Sequence, residues 1–168
     1  MLRLVIPEEK YLKSYKEAYA EYTATGISTY GMTDSDSVDI FEKYDNYRFE
    51  RNLKPDRVGA DYYWLVDEQK DYFIGEITIR HRLNDALLVR GGHIGYVIRC
   101  SQWGKGYGTL MLTLALEKAK QMGLARVLIT CDEKNMASAR VMEKNGCVYE
   151  NTITCADGSR SRRYWKAL

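Results

Sequence analysis

Trp103-Gly104-Lys105-Gly106-Tyr107-Gly108-Thr109, residues 103–109, is the stretch that decides the fold. Its three glycines occupy every second position, and they lie between a strand-like run over 94–98 and a helix-like run over 110–122. Glycine lets the backbone turn tightly and leaves its N–H groups uncovered. A helix that begins here adds further unpaired N–H groups and the positive end of its dipole. The stretch therefore predicts an anion site, most naturally for a phosphate or pyrophosphate.

Two common phosphate-binding patterns do not fit this spacing. A dinucleotide fold requires G-x-G-x-x-G, whereas Gly104, Gly106 and Gly108 follow at every second position. A nucleoside-triphosphate loop requires Lys-Ser or Lys-Thr after its last glycine, whereas Lys105 precedes Gly106. A glycine-rich turn without a ligand remains the alternative interpretation of this motif.

The segment over 93–147 resembles the GCN5-related N-acetyltransferase (GNAT) family, whose members move an acetyl group from acetyl-CoA to an amine. The family's main motif is [QR]-x-x-G-x-[GA], which Gly106 and Gly108 match, with Trp103 where Gln or Arg is usual. Acetyltransferases that act on protein N-termini are similar in having a bulky residue there. A second family motif, Asn followed by a small residue three positions on and by Gly eleven on, is matched by Asn135, Ser138 and Gly146.

The resemblance implies an α/β (α+β) fold of the GNAT-like acyl-CoA N-acyltransferase type, with a central mixed sheet flanked by helices. Hydrophobic periodicity along the chain predicts the order β-α-α-β-β-β-α-β-α-β-β. Strands are expected over 2–6, 62–66, 72–82, 93–99, 126–131, 147–155 and 162–168. Helices are expected from Tyr11 to Tyr22, from Ile40 to Tyr47, and over 110–122 and 135–144.

Length and composition favour one soluble domain over 1–168. Apolar residues make up 45% of the chain and the formal net charge is +2, so neither a nucleic acid nor a membrane is expected as a partner. There are 4 Cys and 2 His, and no pair of cysteines has C-x-x-C spacing, so no metal is expected. These features, with no signal peptide, favour a cytoplasmic protein with reduced thiols.

The resemblance also implies how acetyl-CoA, the expected co-substrate, is held. The pantetheine arm would run along the strand before the glycine loop and bind the main chain of Val97 and Ile98. The pyrophosphate would lie on the amides of the loop, which comprises Trp103, Gly104, Lys105, Gly106, Tyr107, Gly108 and Thr109. Asn135 and Ser138 would approach the pantetheine and the thiol.

Transfer of an acetyl group to nitrogen requires a base, because a free amine is mostly protonated at neutral pH. His93 is the first candidate, since imidazole titrates near neutral pH and His93-Ile94-Gly95-Tyr96 resembles the family's Glu-Ile-Gly-Tyr. A histidine that only makes a structural hydrogen bond at a strand start is the alternative. Glu76 is the second candidate if the face it shares with Ile74 is covered. Ser138 is the candidate acid for the thiolate, because Met142 stands where many family members carry Tyr.

Two functions of different class follow from this pattern. The first is an N-acetyltransferase acting on a primary amine of a small molecule or peptide. The second is a catalytically silent module that binds or senses acyl-CoA. A domain for another nucleotide is a weaker third, and the sequence is compatible with a homodimer.

Overall fold

The computed structural model of the chain describes residues 1–26 and 31–168. Within these residues, one mixed sheet of seven strands has the order β1-β2-β3-β4-β5-β7-β6. The strands are β1 (Leu2–Val5), β2 (Ala60–Asp67), β3 (Tyr72–Arg80), β4 (Ile94–Ile98), β5 (Arg126–Asp132), β6 (Val148–Thr154) and β7 (Arg160–Ala167). The α-helices are α1 (Leu12–Thr25), α2 (Ile40–Arg48), α3 (Asp85–Val89), α4 (Tyr107–Gln121) and α5 (Met136–Lys144).

The predicted order of elements is confirmed, with one addition. The short helix α3 lies between β3 and β4, where no helix was predicted. Its N-cap is Asn84, whose side chain accepts a hydrogen bond from the N–H of Leu87 (2.9 Å). No helix in the described part of the chain has both the length and the apolar character that crossing a membrane requires.

The helices cover the two faces of the sheet in pairs. The α1–α2 face carries an aromatic core in which Tyr11, Tyr15 and Tyr22 of the first amphipathic segment are buried, as their helical spacing predicts. The α4–α5 face carries an aliphatic core that includes Met111 and Ile129. Each face therefore buries its own apolar layer, and the middle strands are covered on both sides.

A bulge in β3 corrects the predicted facing of Glu76. Leu65 on β2 pairs with Gly75, but Val66 pairs with Phe73, so Ile74 is an extra residue in the ladder. Simple alternation would place Glu76 on the same face as Ile74. In the structure Ile74 lies in the aliphatic core, whereas Phe73 lies among the aromatic side chains on the other face. The carboxylate of Glu76 consequently lies beneath α1 and α2.

Arg99, which follows β4, ties that end of the strand to α1. Its side chain is buried, its Nε lies 2.6 Å from Oε1 of Glu21, and its Nη1 donates to the hydroxyl of Ser14 (3.1 Å). The guanidinium also stacks on Tyr72, 4.3 Å from the ring centroid. This anchor fixes α1 beside the last residues of β4, where the candidate site begins.

Candidate active site

The parallel strands β4 and β5 meet at one point and then separate. Within the described residues, a single register pair joins them, Ile94 with Ile129. The N–H of His93 also donates to the carbonyl of Leu128 (2.7 Å), just before the pair. Past this point the two strands leave an opening in the sheet toward the C-terminal end of β4.

The ladder between β3 and β4 shows which main-chain groups of β4 face the opening. The N–H of Arg99 donates to the carbonyl of Ile74 (2.8 Å), and the N–H of Arg80 donates to the carbonyl of His93 (2.7 Å), so the odd-numbered residues that flank β4 on either side both bond to β3. Hydrogen bonds in an antiparallel pair alternate along the strand. The odd-numbered residues between them therefore bond to β3 as well, and the even-numbered residues face β5.

By this alternation, and contrary to the prediction, the main chain of Val97 does not face the opening. Its main chain faces β3, with its carbonyl oxygen 2.6 Å from the position that a Cβ of Gly75 would take, and its side chain is buried beneath α1. Tyr96 and Ile98 instead present main-chain groups to the opening. Ile98 was expected here from the sequence, whereas Tyr96 was not; strand alternation identifies Tyr96 once the bonds at His93 and Arg99 are known.

Trp103 holds the end of β4 from the position where the family usually has Gln or Arg. Its indole Nε1–H donates to the carbonyl of Ile98 (2.7 Å), and the hydroxyl of Tyr22 donates to the same oxygen. The rings of Trp103 and Tyr22 meet edge to face, with centroids 6.2 Å apart. The carbonyl of Ile98 thus has two donors, and its N–H is the group left for a ligand in the opening.

The glycine loop has the backbone conformation that its sequence predicts. Gly104 has φ +75° and Gly106 has φ +82°, values that other residues rarely adopt. A Cβ at either position would meet nothing within 4 Å, so the required φ, rather than a lack of space, accounts for these glycines. Among the described residues, no main-chain N–H from Gly104 to Thr109 donates a hydrogen bond.

The start of helix α4 completes this group of unpaired amides. The helix begins at Tyr107, three residues earlier than predicted, and Gly106 caps it without a side chain. Its first turn contains no acidic residue, so no negative charge in that turn opposes an incoming anion. Gly108 packs instead: a Cβ there would lie 3.2 Å from Cγ2 of Val141 on α5. Lys105 is folded back, with its Nζ on the carbonyl of Ser101 (3.2 Å).

Helix α5 brings the second motif to the other side of the opening. Asn135 caps the helix by accepting from the N–H of Ser138 (3.0 Å), as its position predicts. The hydroxyl of Ser138 lies 2.7 Å from that of Tyr96, so this pair of hydroxyls bridges β4 and α5. Burial raises the pKa of Tyr96 well above its ordinary value, which keeps its hydroxyl protonated.

In the structure, the contacts of His93 are not those expected of the predicted base. Its Nδ1 accepts a hydrogen bond from the main-chain N–H of Leu128 (2.9 Å). The proton of the neutral ring is therefore on Nε2, and the lone pair of Nδ1 is already engaged and not free to accept a proton from an amine. Burial, followed by the charges of Arg80 and Arg126, lowers the pKa of His93. The alternative interpretation, a structural hydrogen bond at the strand start, describes its contacts.

Glu76 has the environment of a buried carboxylate. Its Oε2 accepts from the hydroxyl of Tyr44 (2.6 Å) and from the indole N–H of Trp64 (2.9 Å). Burial raises its pKa, and these two bonds work in the opposite direction. Glu76 lies opposite Val97, four residues from His93 and so roughly 13 Å away along the strand. The two predicted bases therefore do not form one group.

A family comparison agrees with this geometry. Residues 4–148 match the model of the acetyltransferase (GNAT) domain, which covers most of the chain. The chain therefore belongs to the GNAT acetyltransferase family, and it is an acetyl-CoA-dependent N-acetyltransferase by class. A search of curated proteins found no significant match. The described residues contain no cluster of three or more side chains suited to bind a metal ion.

Solved structures share the fold at low sequence identity. An acetyltransferase of the GNAT family from Bacillus anthracis is 19% identical, with a TM-score of 0.69 over 99% of this chain and 94% of that one. The microcin C7 self-immunity acetyltransferase MccE, in complex with acetyl-CoA and AMP, is 18% identical, with a TM-score of 0.71 over 99% and 92%. The ribosomal L7/L12 α-N-protein acetyltransferase RimL, with coenzyme A, is 16% identical, with a TM-score of 0.72 over 99% and 94%.

Proposed function

We propose that this protein transfers the acetyl group of acetyl-CoA to a primary amine of a small molecule or peptide, by direct attack of the amine on the thioester. The observations that carry the proposal are the opening between β4 and β5 and, in the loop that follows β4 along the chain, the unpaired amides from Gly104 to Thr109. An extended arm that ends in a pyrophosphate has the shape and charge to occupy both. MccE and RimL, which share the fold, are complexes with acetyl-CoA and coenzyme A, respectively.

In this proposal the opening binds the pantetheine arm as an additional strand. The main-chain groups of Tyr96 and the N–H of Ile98 bond to its amides. The amides of the glycine loop and the positive end of the α4 dipole bind the pyrophosphate. Asn135 and Ser138 flank the thiol end from α5.

Proton transfer completes the proposed reaction. The neutral amine attacks the thioester carbon, the C–S bond breaks, and the amine proton leaves as the amide forms. Glu76 is the stronger of the two candidate bases, because burial raises its pKa above the ordinary value and because Nδ1 of His93 already binds the N–H of Leu128. The hydroxyl pair of Ser138 and Tyr96 returns a proton to the thiolate of CoA.

The proposal is tested by measuring the release of the CoA thiol with a panel of amines, with mass spectrometry of the acetylated product. Turnover that requires the amine, together with binding of acetyl-CoA to the enzyme alone, is expected. Tight binding of acetyl-CoA without turnover on any amine would instead indicate the silent binding module. A thermal-shift comparison in which ATP or NAD stabilises the protein more than acetyl-CoA would contradict both.

A further inference from the structure

A partly buried arginine lies beside the opening without a carboxylate partner. Arg80, the last residue of β3, donates from Nη1 to the carbonyls of Gly91 (3.0 Å) and Gly92 (3.1 Å). Among the described residues, its Nε and Nη2 form no hydrogen bond and its guanidinium forms no ion pair. The neighbouring Arg82 does pair with a carboxylate, that of Glu50 (Nη2 to Oε2, 3.1 Å).

The guanidinium of Arg80 lies over Gly95 of β4. The position that a Cβ of Gly95 would take lies 3.7 Å from both Nη1 and Nη2 of Arg80, and no other described atom lies within 4 Å of it. Gly95 immediately follows the point where β4 and β5 separate. The guanidinium of Arg80 therefore packs over Gly95, at the start of the opening.

The surrounding groups add donors and positive charge. His93 is the cross-strand neighbour of Arg80, and its protonated Nε2 has no partner among the described residues. The groups that act on the charge of Arg80 are Tyr62, Tyr47 and then Arg57, and those that act on His93 are Arg80 and Arg126, so no carboxylate is among them. A charge that is partly removed from water in such surroundings is best satisfied by an anion with two acceptor atoms.

Resting on the function proposed above, we infer that the acceptor is an amine that also carries a carboxylate, as an amino acid does, and that Arg80 binds this carboxylate through Nε and Nη2. Nη1 is occupied by the two glycine carbonyls, which hold the guanidinium plane in place. A carboxylate bound there would leave the amine of a short acceptor beside Gly95, facing the thioester. Polyamines, which are cationic throughout, would be poor acceptors.

The test compares matched acceptors. CoA release is measured for amino acids and for their carboxamides, with phosphoethanolamine and spermidine as further arms. The wild type is expected to favour the carboxylate over the carboxamide by about tenfold or more in kcat/KM, the value of one charge-assisted hydrogen bond. Arg80→Gln should bring this ratio close to one, mainly through KM, and Arg80→Lys should retain part of it. Affinity for acetyl-CoA should not change in either variant.

Arg82→Gln is the matched control, because it removes a neighbouring arginine that pairs with Glu50, and it should leave the ratio intact. Equal turnover of carboxylate and carboxamide by the wild type would overturn the inference while the proposed function stands. A preference for phosphoethanolamine or spermidine over the amino acids would overturn the carboxylate assignment.

A binding measurement on the wild type makes the test independent of turnover and of whether the Arg80→Gln variant folds. Calorimetry of the CoA-bound wild type with N-acetyl amino acids and their amides should show tighter binding of the carboxylate forms. Failure of every amine to react would contradict the proposed function, and the binding measurement would still decide on the anion site. Equal binding of both forms would overturn that site.

Discussion

Replacement of Gly106 by alanine separates the backbone requirement of the loop from every other effect. Gly106 has φ +82°, and a Cβ there meets nothing within 4 Å, so the substitution introduces backbone strain without a clash. Left-handed backbone costs a residue with a Cβ about 1–2 kcal/mol. If the free loop relaxes to negative φ and acetyl-CoA binding must restore it, affinity falls by about 5- to 30-fold.

Gly158→Ala is the matched control for this prediction. Gly158 has φ +79° and is equally open, but it lies in the turn between β6 and β7 rather than in the glycine loop. Calorimetric titration with acetyl-CoA and chemical denaturation are measured on both variants. Gly158→Ala should lose stability with unchanged affinity, whereas Gly106→Ala should lose affinity. Equal affinities for acetyl-CoA in the two variants would refute the role of the loop amides.

Three further predictions concern proton transfer and stability. His93→Ala should lose about 1–3 kcal/mol of unfolding free energy, because the N–H of Leu128 loses its acceptor, and kcat at saturating acceptor should fall less than tenfold; a loss of a hundredfold or more would restore His93 as the base. Ser138→Ala and Tyr96→Phe should each lower kcat about tenfold or more at unchanged acetyl-CoA affinity, and unaltered pH–rate profiles in both would contradict their role as donors. Burial raises the pKa of Glu76, so the folded state retains a proton that the unfolded chain releases above about pH 4.3, and stability should fall as pH rises from there through the raised pKa. Glu76→Gln should lack that part of the decline in denaturation measured against pH, and it should also remove the acidic limb of the rate profile; identical pH dependence in both proteins would argue against a buried, titrating Glu76.

Local signals predicted the parts of the molecule that depend on local rules. Only glycine adopts positive φ freely, and Gly104 and Gly106 both have it. Their spacing therefore indicated the loop directly. The tyrosines of α1 are buried because their helical spacing forms one apolar stripe. Asn135 caps α5 because its side chain matches the unpaired N–H groups of a first turn.

Contacts between distant segments account for what the sequence analysis missed. The bulge at Ile74 reverses the facing of Glu76, and it is seen only in the register of β3 with β2. The acceptor nitrogen of His93 is used by Leu128, 35 residues away. Trp103 looks like a departure from the family motif, yet its indole N–H makes a bond to the carbonyl of Ile98 that sequence comparison does not show.

The most direct test of the central claim is a crystal structure of the protein with coenzyme A. We predict that the diphosphate oxygens lie about 2.7–3.2 Å from main-chain nitrogens between Gly104 and Thr109. We also predict that the pantetheine arm lies between β4 and β5, bonded to Tyr96 and Ile98. Coenzyme A bound elsewhere on the molecule, with this opening unchanged, would contradict the account.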